Sequence, residues 1–153
     1  MSATRSKADR TFAAIAASLS DSEQRVSSSS PILYKELSYA ITGAAIEVHR
    51  YLGPGQLEST YERALVKELT YRGIQVQNQV PVTANYKGEA VGEFYADVIV
   101  DQKVILELKC VDRVLSVHRS QLLSYLRATG LRLGLIINFG APIIWKGMSR
   151  VVL

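Results

Sequence analysis

The sequence predicts an α/β fold in which a central mixed β-sheet, an antiparallel meander plus a further strand, is flanked by helices. Two stretches with helical spacing of apolar residues come first, and three extended runs separated by short turn signals follow them. A third helical stretch then leads into a continuous apolar run at residues 133–139. The predicted element order is α-α-β-β-β-α-β-β.

Each element has a local signal. Apolar residues recur every three or four positions in the helices, and Gly53, Gly73 and Gly130 stand where the three helices should end. The predicted helices are residues 34–51, 57–72 and 114–129. The predicted strands are residues 74–86, 91–100, 104–111, 133–139, 143–145 and 151–153.

Bulk composition limits the class of protein. A chain of 153 residues suits one domain with its own core, and 48% hydrophobic and 21% charged residues are typical of globular proteins. No apolar run is long enough to cross a bilayer, so we expect a soluble, cytoplasmic protein with no membrane partner. Residues 1–30 contain nine serines and are predicted to be a disordered leader, with residues 31–153 as a single domain.

Two charged residues interrupt a run that is otherwise apolar enough to be a buried strand. These are Glu107 and Lys109, within residues 104–111. Charges are rarely tolerated in such a strand unless they are paired or bound to a metal ion. Asp97 lies on the preceding extended run, so a second carboxylate is available on the neighbouring strand.

The hydrophobic pattern predicts how these strands pair, because residues directly opposite each other in an antiparallel pair share a face. A two-residue loop would set Asp97 against Leu106 and mix charged with apolar positions on both faces. A three-residue loop at residues 101–103 makes one face wholly apolar and sets Asp97 opposite Glu107. We therefore expect the second register, with Lys109 opposite Tyr95.

Two carboxylates about 5 Å apart repel each other unless a cation lies between them or one binds a proton. Mg²⁺, with Mn²⁺ as an alternative, suits this site because it prefers oxygen ligands and needs few protein carboxylates. The backbone carbonyl of Leu108 could add a ligand. Lys109 could stabilise a hydroxide or the charge that develops on a phosphate. Alternatively, the residues form a surface charge cluster in which Lys109 neutralises Glu107.

Positive charge is concentrated in the last third of the chain. Residues 109–153 contain seven basic residues and one acid, a net charge of +6, whereas the whole chain carries +4. This asymmetry favours a phosphate-bearing partner, and Arg113, Arg119 and Arg127 are candidate contacts. A solvated basic surface is the alternative.

The segment Gly55-Gln56-Leu57-Glu58-Ser59-Thr60-Tyr61 resembles the pattern that gives the GxxExxY proteins their name. This bacterial and archaeal group is assigned to the PD-(D/E)xK nuclease superfamily. The likeness extends through most of residues 34–153 and includes these stretches: residues 43–49, 52–55, 96–97, 106–109, 121–126 and 135–139.

The resemblance implies a restriction-endonuclease-like core and assigns roles to particular residues. Asp97 and Glu107 would be metal ligands, and Lys109 would be the catalytic lysine. Glu58 would be the helix acid that supports the metal site, and Gln121 the polar residue on the following helix. The superfamily's name implies a proline before the aspartate, where this chain has Ala96.

Helical periodicity supports these assignments only in part. Glu58 lies on the stripe of Tyr61 and Leu65, which faces the sheet, but Glu68 lies on the same stripe equally well. Stabilisation of the helix dipole is the alternative role for Glu58. Gln121 and His118 share a helix face with Tyr125.

Other polar or glycine positions are assigned structural roles. His118 is expected to be a satisfied structural histidine, and Cys110 a core thiol. Gly53, Pro54 and Gly55 are expected to form a tight turn between helices, and Tyr61 to be a core aromatic residue.

The leading hypothesis is a metal-dependent nuclease that hydrolyses phosphodiester bonds, with DNA as the expected substrate and nucleic acid as the partner. The alternative is a catalytically silent nucleic-acid-binding module that keeps the nuclease fold. A small regulatory protein that acts on a nucleotide or on RNA is a third reading. The sequence leaves the oligomeric state open.

Overall fold

The computed structural model describes residues 31–153, so the predicted leader at residues 1–30 lies outside the described residues. The described residues divide into two units at Gly43 and Ala44, within the first helix, α1 (Lys35–Leu52). The described part of the first unit contains the beginning of α1, where the Thr42 hydroxyl donates a hydrogen bond to the Ser38 carbonyl at 2.8 Å. The prediction of a single domain over residues 31–153 stays a prediction.

The second unit is built on a five-stranded sheet in the order β1-β2-β3-β4-β5. Strands β3 and β4 are parallel and the other neighbours are antiparallel, so the sheet is mixed, as predicted. The helices that accompany it confirm the α/β class. In chain order the elements after α1 are α2 (Glu58–Tyr71), β1 (Val76–Tyr86), β2 (Glu89–Val100), β3 (Val104–Lys109), α3 (Ser116–Thr129), β4 (Leu133–Asn138), a 3₁₀ helix (Ile144–Gly147) and β5 (Met148–Val152).

The strand predicted at residues 143–145 is wrong. Ile144–Gly147 is a 3₁₀ helix in which the Lys146 amide donates to the Ile143 carbonyl at 3.1 Å, and the last strand begins earlier than predicted, at Met148. Ile144 is nevertheless buried, being 4% exposed. A short apolar run does not distinguish a buried turn from a buried strand, which is why the pattern was misread.

The core is centred on β3 and β4, whose positions are nearly all buried. On α2 the buried side chains recur every four residues at Tyr61, Leu65 and Leu69. Leu122 of α3 packs so close to β4 that a Cβ on Gly134 would lie 2.7 Å from it. Truncating Leu122 to alanine would cost about 2–5 kcal/mol of stability, as for other buried leucines.

The predicted register between β2 and β3 is confirmed. Val100 pairs with Val104 and Val98 pairs with Leu106, so the loop has three residues. Asp101 and Gln102 adopt left-handed φ angles of 51° and 53°, which turn the chain back within that loop.

The prediction that one face of this pair is wholly apolar is wrong. Ala96 and Ile99 of β2 belong to the same core cluster against α3, although residues three apart should point to opposite faces of a regular strand. The alternation therefore breaks between them, at the position of Asp97. A hydrophobic pattern that assumes a regular pleat misses such an irregularity.

Within residues 31–153, no helix is both long enough and apolar enough to cross a membrane.

Candidate active site

Asp97 lies at an interruption in the hydrogen-bonded ladders on both sides of β2. On one side the paired residues of β1 and β2 run through Asn78–Val98 and resume at Val80–Ala96, which leaves out Asp97. On the other side the β2–β3 pairing ends at Val98. At Asp97, β2 therefore has no ladder pair with β3. The Asp97 side chain, and not its backbone, bonds to β3 there.

The carboxylate of Asp97 is held by the main chain of β3. Its Oδ2 accepts a hydrogen bond from the Leu108 amide at 2.8 Å. The sequence predicted Asp97 directly opposite Glu107 in a regular ladder. The structure instead brings the Asp97 side chain to the backbone between Glu107 and Lys109, which keeps the three predicted residues together.

Glu107 is buried, with 4% of its surface exposed, on a strand whose neighbours are apolar. Its Oε1 has no hydrogen-bond partner among the described residues. Its Oε2 lies 3.9 Å from Nζ of Lys109, too far for a direct hydrogen bond. Leaving a buried carboxylate oxygen unpaired is costly, so this group calls for a cation or a proton that the protein itself does not supply.

Both carboxyl groups have raised pKa values. Burial raises the pKa of Asp97 to about 6, the Leu108 hydrogen bond opposes this, and the charges of Glu62 and Glu58 add to it. Burial, and after it the charge of Asp97, raise the pKa of Glu107 to about 8, although Lys109 acts in the opposite direction. Both shifts have the sign expected for carboxylates that share a poorly solvated site.

The structure distinguishes two glutamates of α2 that periodicity could not. Glu58 is exposed at the start of α2, and its charge acts on both Asp97 and Glu107. Glu68 instead forms an ion pair with Arg72 at 2.9 Å, one turn further along the same helix. The charge of Glu58 therefore acts on the predicted site, whereas Glu68 is paired with a basic residue four positions along the chain.

Glu62, one turn after Glu58, is an acidic residue that the sequence analysis missed. It is half-buried, and its charge also raises the pKa of both Asp97 and Glu107. Its spacing of four from Glu58 was a usable signal, because residues four apart share a helix face.

Gln121 does not reach a carboxylate through any hydrogen bond in the structure. Its Nε2 donates to the hydroxyl of Tyr125 at 2.8 Å, and the Tyr125 ring stacks on Phe94 of β2 with centroids 4.2 Å apart. Burial raises the pKa of Tyr125, and the charges of Glu107 and Asp97 raise it further. Tyr125 is therefore a further residue near the carboxylates that the sequence did not single out. It shares a helix face with Gln121, and that shared face was the available signal.

Asn138 anchors the segment that follows β3. This buried side chain accepts a hydrogen bond from the Val111 amide at 3.0 Å and donates to the Val111 carbonyl at 2.8 Å. The Phe139 amide also donates to the Lys109 carbonyl at 2.8 Å. These bonds fix the backbone that carries Lys109. Asn138 was overlooked because it stands at the end of an apolar run that reads as a plain buried strand.

The three candidate arginines are dispersed. Arg113 is exposed in the segment that follows β3, at the same strand end as Lys109. Arg127 lies in the last turn of α3, and Nη2 of Arg119 donates to the Arg150 carbonyl at 3.2 Å. Of the three, Arg113 is nearest in the chain to the carboxylates, and contact with nucleic acid stays a prediction for all three.

Two other residues were assigned structural roles. Nδ1 of His118 accepts a hydrogen bond from the Leu115 amide at 3.0 Å, which satisfies it at the start of α3 as expected. Cys110 is half-buried instead of fully buried, and burial raises the pKa of its thiol, which disfavours the reactive thiolate.

The donor set fits a hydrated divalent cation better than a fully enclosed ion. Among residues 31–153, no three His, Cys, Asp or Glu side chains converge closely enough to hold a metal ion by themselves. Two carboxylates, one of them with an unpartnered buried oxygen, suit a hard cation that keeps several waters. Asp97 and Glu107 are the residues that would hold it. The roles of Glu58 and of the Leu108 carbonyl stay predictions.

The comparisons with known proteins identify the class. The family model described as PD-(D/E)XK nuclease superfamily matches residues 35–151, so the chain belongs to that superfamily. This is the class that the mixed sheet and the Asp97, Glu107 and Lys109 cluster define. Its restriction-endonuclease-like α/β fold agrees with the topology described above.

A crystal structure of SSO0001 is also similar, with 13% sequence identity and a TM-score of 0.41 over 97% of this chain and 78% of that chain. No curated protein matches the sequence.

Proposed function

We propose that this chain is a divalent-cation-dependent nuclease of the GxxExxY group that hydrolyses phosphodiester bonds in DNA. The observation that carries the proposal is the buried Glu107, whose Oε1 is unpartnered and whose charge is set beside Asp97 and Lys109. A buried cluster with more carboxylates than cations is costly to the fold, and such a cost is commonly retained where it serves a function.

The roles of the residues follow from their positions. Asp97, fixed by the Leu108 amide, and Glu107 would hold Mg²⁺ or Mn²⁺, which when bound supplies a Lewis acid and an activated water. Lys109 carries a positive charge 3.9 Å from Glu107, where it can orient the attacking water and offset charge that develops on the phosphate. Glu58 would support the cation, and Gln121 would act through the hydroxyl of Tyr125.

DNA as the substrate is supported by the charge distribution, since residues 109–153 carry a net +6. Arg113 lies at the strand end that carries Lys109, so it would contact the phosphates that flank the reacting one. Arg119 and Arg127 would contribute to the field at longer range. A cytoplasmic location and a bacterial or archaeal source belong to the same proposal, through the resemblance to the GxxExxY group.

The decisive experiment compares Glu107→Gln with wild type on single-stranded, double-stranded and branched DNA and on RNA, in Mg²⁺ and in Mn²⁺. We expect cleavage to fall by about a thousandfold or more, because the variant loses the negative charge of a metal ligand, which a water molecule in its place would not restore. Binding of DNA without added metal should stay within a few-fold of wild type. Asp97→Asn should behave like Glu107→Gln, and Asp101→Asn, on the loop at the other end of β3, is the matched control.

A catalytically silent binding module predicts a different result. Wild type and Glu107→Gln would then bind DNA equally and neither would cleave it, whereas Arg113→Ala would still weaken binding. Preferential cleavage of RNA would keep the nuclease assignment and overturn the DNA assignment.

A further inference from the structure

Gln79 of β1 lies directly across from Asp97, where the β1–β2 ladder is interrupted. The pairs on either side of it, Asn78–Val98 and Val80–Ala96, define a register that sets Gln79 opposite Asp97. Gln79 itself has a left-handed φ of 50°, which is unusual for a residue other than glycine inside a strand. The side chain of Gln79 therefore leaves the direction that a regular strand would give it.

That side chain bonds to Glu62 on α2. Nε2 of Gln79 lies 2.9 Å from one carboxylate oxygen of Glu62 and 3.1 Å from the other. An amide nitrogen shared between both oxygens restrains the orientation of the carboxylate while leaving it charged. The strand residue opposite Asp97 thus holds a helix acid in place.

The charge of Glu62 works against the rest of the site. It raises the pKa of Asp97 more than Glu58 does, after the larger effect of burial, and it also raises that of Glu107. A neutral residue at position 62 would relieve this repulsion. A cation bound beside these carboxylates would offset the repulsion.

A second observation points to the same ligand independently. Glu107 is 4% exposed and its Oε1 has no hydrogen-bond partner among the described residues, so the site contains an unsatisfied buried acceptor. Glu62 does not lie close enough to complete a three-residue cage, since no such group exists in residues 31–153. Mg²⁺ and Mn²⁺ retain water molecules, and a carboxylate beyond direct reach can bind those waters.

We propose that Glu62, positioned by Gln79, accepts hydrogen bonds from the water shell of the cation held by Asp97 and Glu107 and thereby sets the affinity of the site for that cation. The inference rests on the proposed function, because it assumes the cation. Glu62 acts on the cation through water, and Gln79 is a positioning residue that acts through Glu62.

The test measures Mn²⁺ binding to the full-length protein directly, by calorimetry and by electron paramagnetic resonance, without substrate. Glu62→Gln is nearly isosteric, and its amide oxygen can still accept from Gln79, so the change removes mainly the charge. We expect the dissociation constant for Mn²⁺ to rise about tenfold, as is typical when a group that supports the ligands of a metal is removed. In the cleavage assay the Mn²⁺ concentration for half-maximal rate should rise in parallel, with the rate at saturating Mn²⁺ changed much less.

Glu68→Gln is the matched control, because it removes the same charge from the same helix at a residue paired with Arg72. It should leave the dissociation constant for Mn²⁺ within about twofold of wild type. An equal loss in Glu68→Gln and Glu62→Gln would mean that only net charge matters and would overturn the proposal.

Gln79 is tested by a double-mutant cycle. Gln79→Ala should weaken Mn²⁺ binding when Glu62 is present and have little further effect in the Glu62→Gln background, since its action runs through that carboxylate. Additive losses would overturn the positioning role of Gln79.

These measurements distinguish a failure of the proposed role of Glu62 from a failure of the proposed function. If wild type binds Mn²⁺, Glu107→Gln does not, and Glu62→Gln binds like wild type, the role of Glu62 is overturned while the proposed function stands. If wild type binds no Mn²⁺ and cleaves no nucleic acid in its presence, both are overturned.

Discussion

Two pairs of a glutamate with a basic residue show how differently the same chemistry behaves in two regions of the second unit. In α1, Glu47 and Arg50 form two hydrogen bonds, at 2.8 and 3.2 Å, with side chains 33% and 61% exposed. In β3, Glu107 and Lys109 are 3.9 Å apart, with side chains 5% and 20% exposed. The exposed pair is well bonded, and the buried pair is not.

The pKa shifts of the two glutamates have opposite signs for this reason. The hydrogen bond from Arg50 lowers the pKa of Glu47, whereas burial and the charge of Asp97 together raise the pKa of Glu107 to about 8. On the surface, Glu47 forms hydrogen bonds with a basic residue of its own helix. In the strand, the fold keeps a carboxylate whose charge the neighbouring lysine only partly offsets. That imbalance is what an external cation would correct.

Removing the lysine of the buried pair should give a large effect, second only to that of Glu107→Gln. We expect Lys109→Ala to lower kcat by about a hundredfold to a thousandfold, because a charge that stabilises the transition state is lost. Binding of Mn²⁺ should persist, since the carboxylates remain and lose a competing positive charge. Single-turnover cleavage and Mn²⁺ titration measure the two effects separately.

Lys103→Ala is the control for that variant, since Lys103 pairs with Asp101 at 3.1 Å on the loop at the other end of β3. Cleavage by Lys109→Ala at the rate of Lys103→Ala would show that the buried pair has no special role.

Stability should depend on pH with the sign set by the buried carboxyl groups. Their pKa values in the folded protein, about 6 for Asp97 and about 8 for Glu107, lie above the usual range, so the folded chain retains protons that the unfolded chain has released. Their contribution is fully present at low pH and is lost as pH rises from about 4 to about 8. Urea unfolding at pH 5, 6, 7 and 8 measures this loss.

The double variant Asp97→Asn, Glu107→Gln should show a flatter dependence than wild type over the same interval. Added Mg²⁺ should stabilise wild type most at pH 8, where protons no longer compete for the carboxylates, and should not stabilise the double variant. Parallel pH curves for the two proteins would mean that these groups do not carry the dependence.

The sequence predicted the parts of the fold that depend on local pattern and on a regular pleat. The three-residue loop and the pairing of Val98 with Leu106 followed from keeping apolar residues together. The interruption of the ladder at Asp97 could not be predicted in this way, because strict alternation assumes that no residue leaves the ladder. The left-handed φ of Gln79, on the opposite strand, has no sequence signal at all.

The candidate site was predictable where a charge stands among apolar residues, as Glu107 and Lys109 do. It was less predictable on helices, where Glu58, Glu62 and Glu68 all recur with helical spacing. Only their partners separate them: Gln79 for Glu62 and Arg72 for Glu68. Glu68 and Arg72 are four residues apart, so helical spacing could indicate that pair. Gln79 lies on a strand distant in sequence, and helical periodicity carries no information about it.

The exposed pair in α1 should give the smallest effect. Arg50→Gln removes the partner of Glu47, but water can solvate a carboxylate that is already one-third exposed. We expect the midpoint of thermal unfolding to change by less than about 2 °C, with cation binding and cleavage unaltered. Differential scanning calorimetry of Arg50→Gln beside wild type measures the shift. A large loss of stability would show that the surface and buried pairs do not differ as their geometry indicates. The unsatisfied oxygen of Glu107 would then no longer support a functional role.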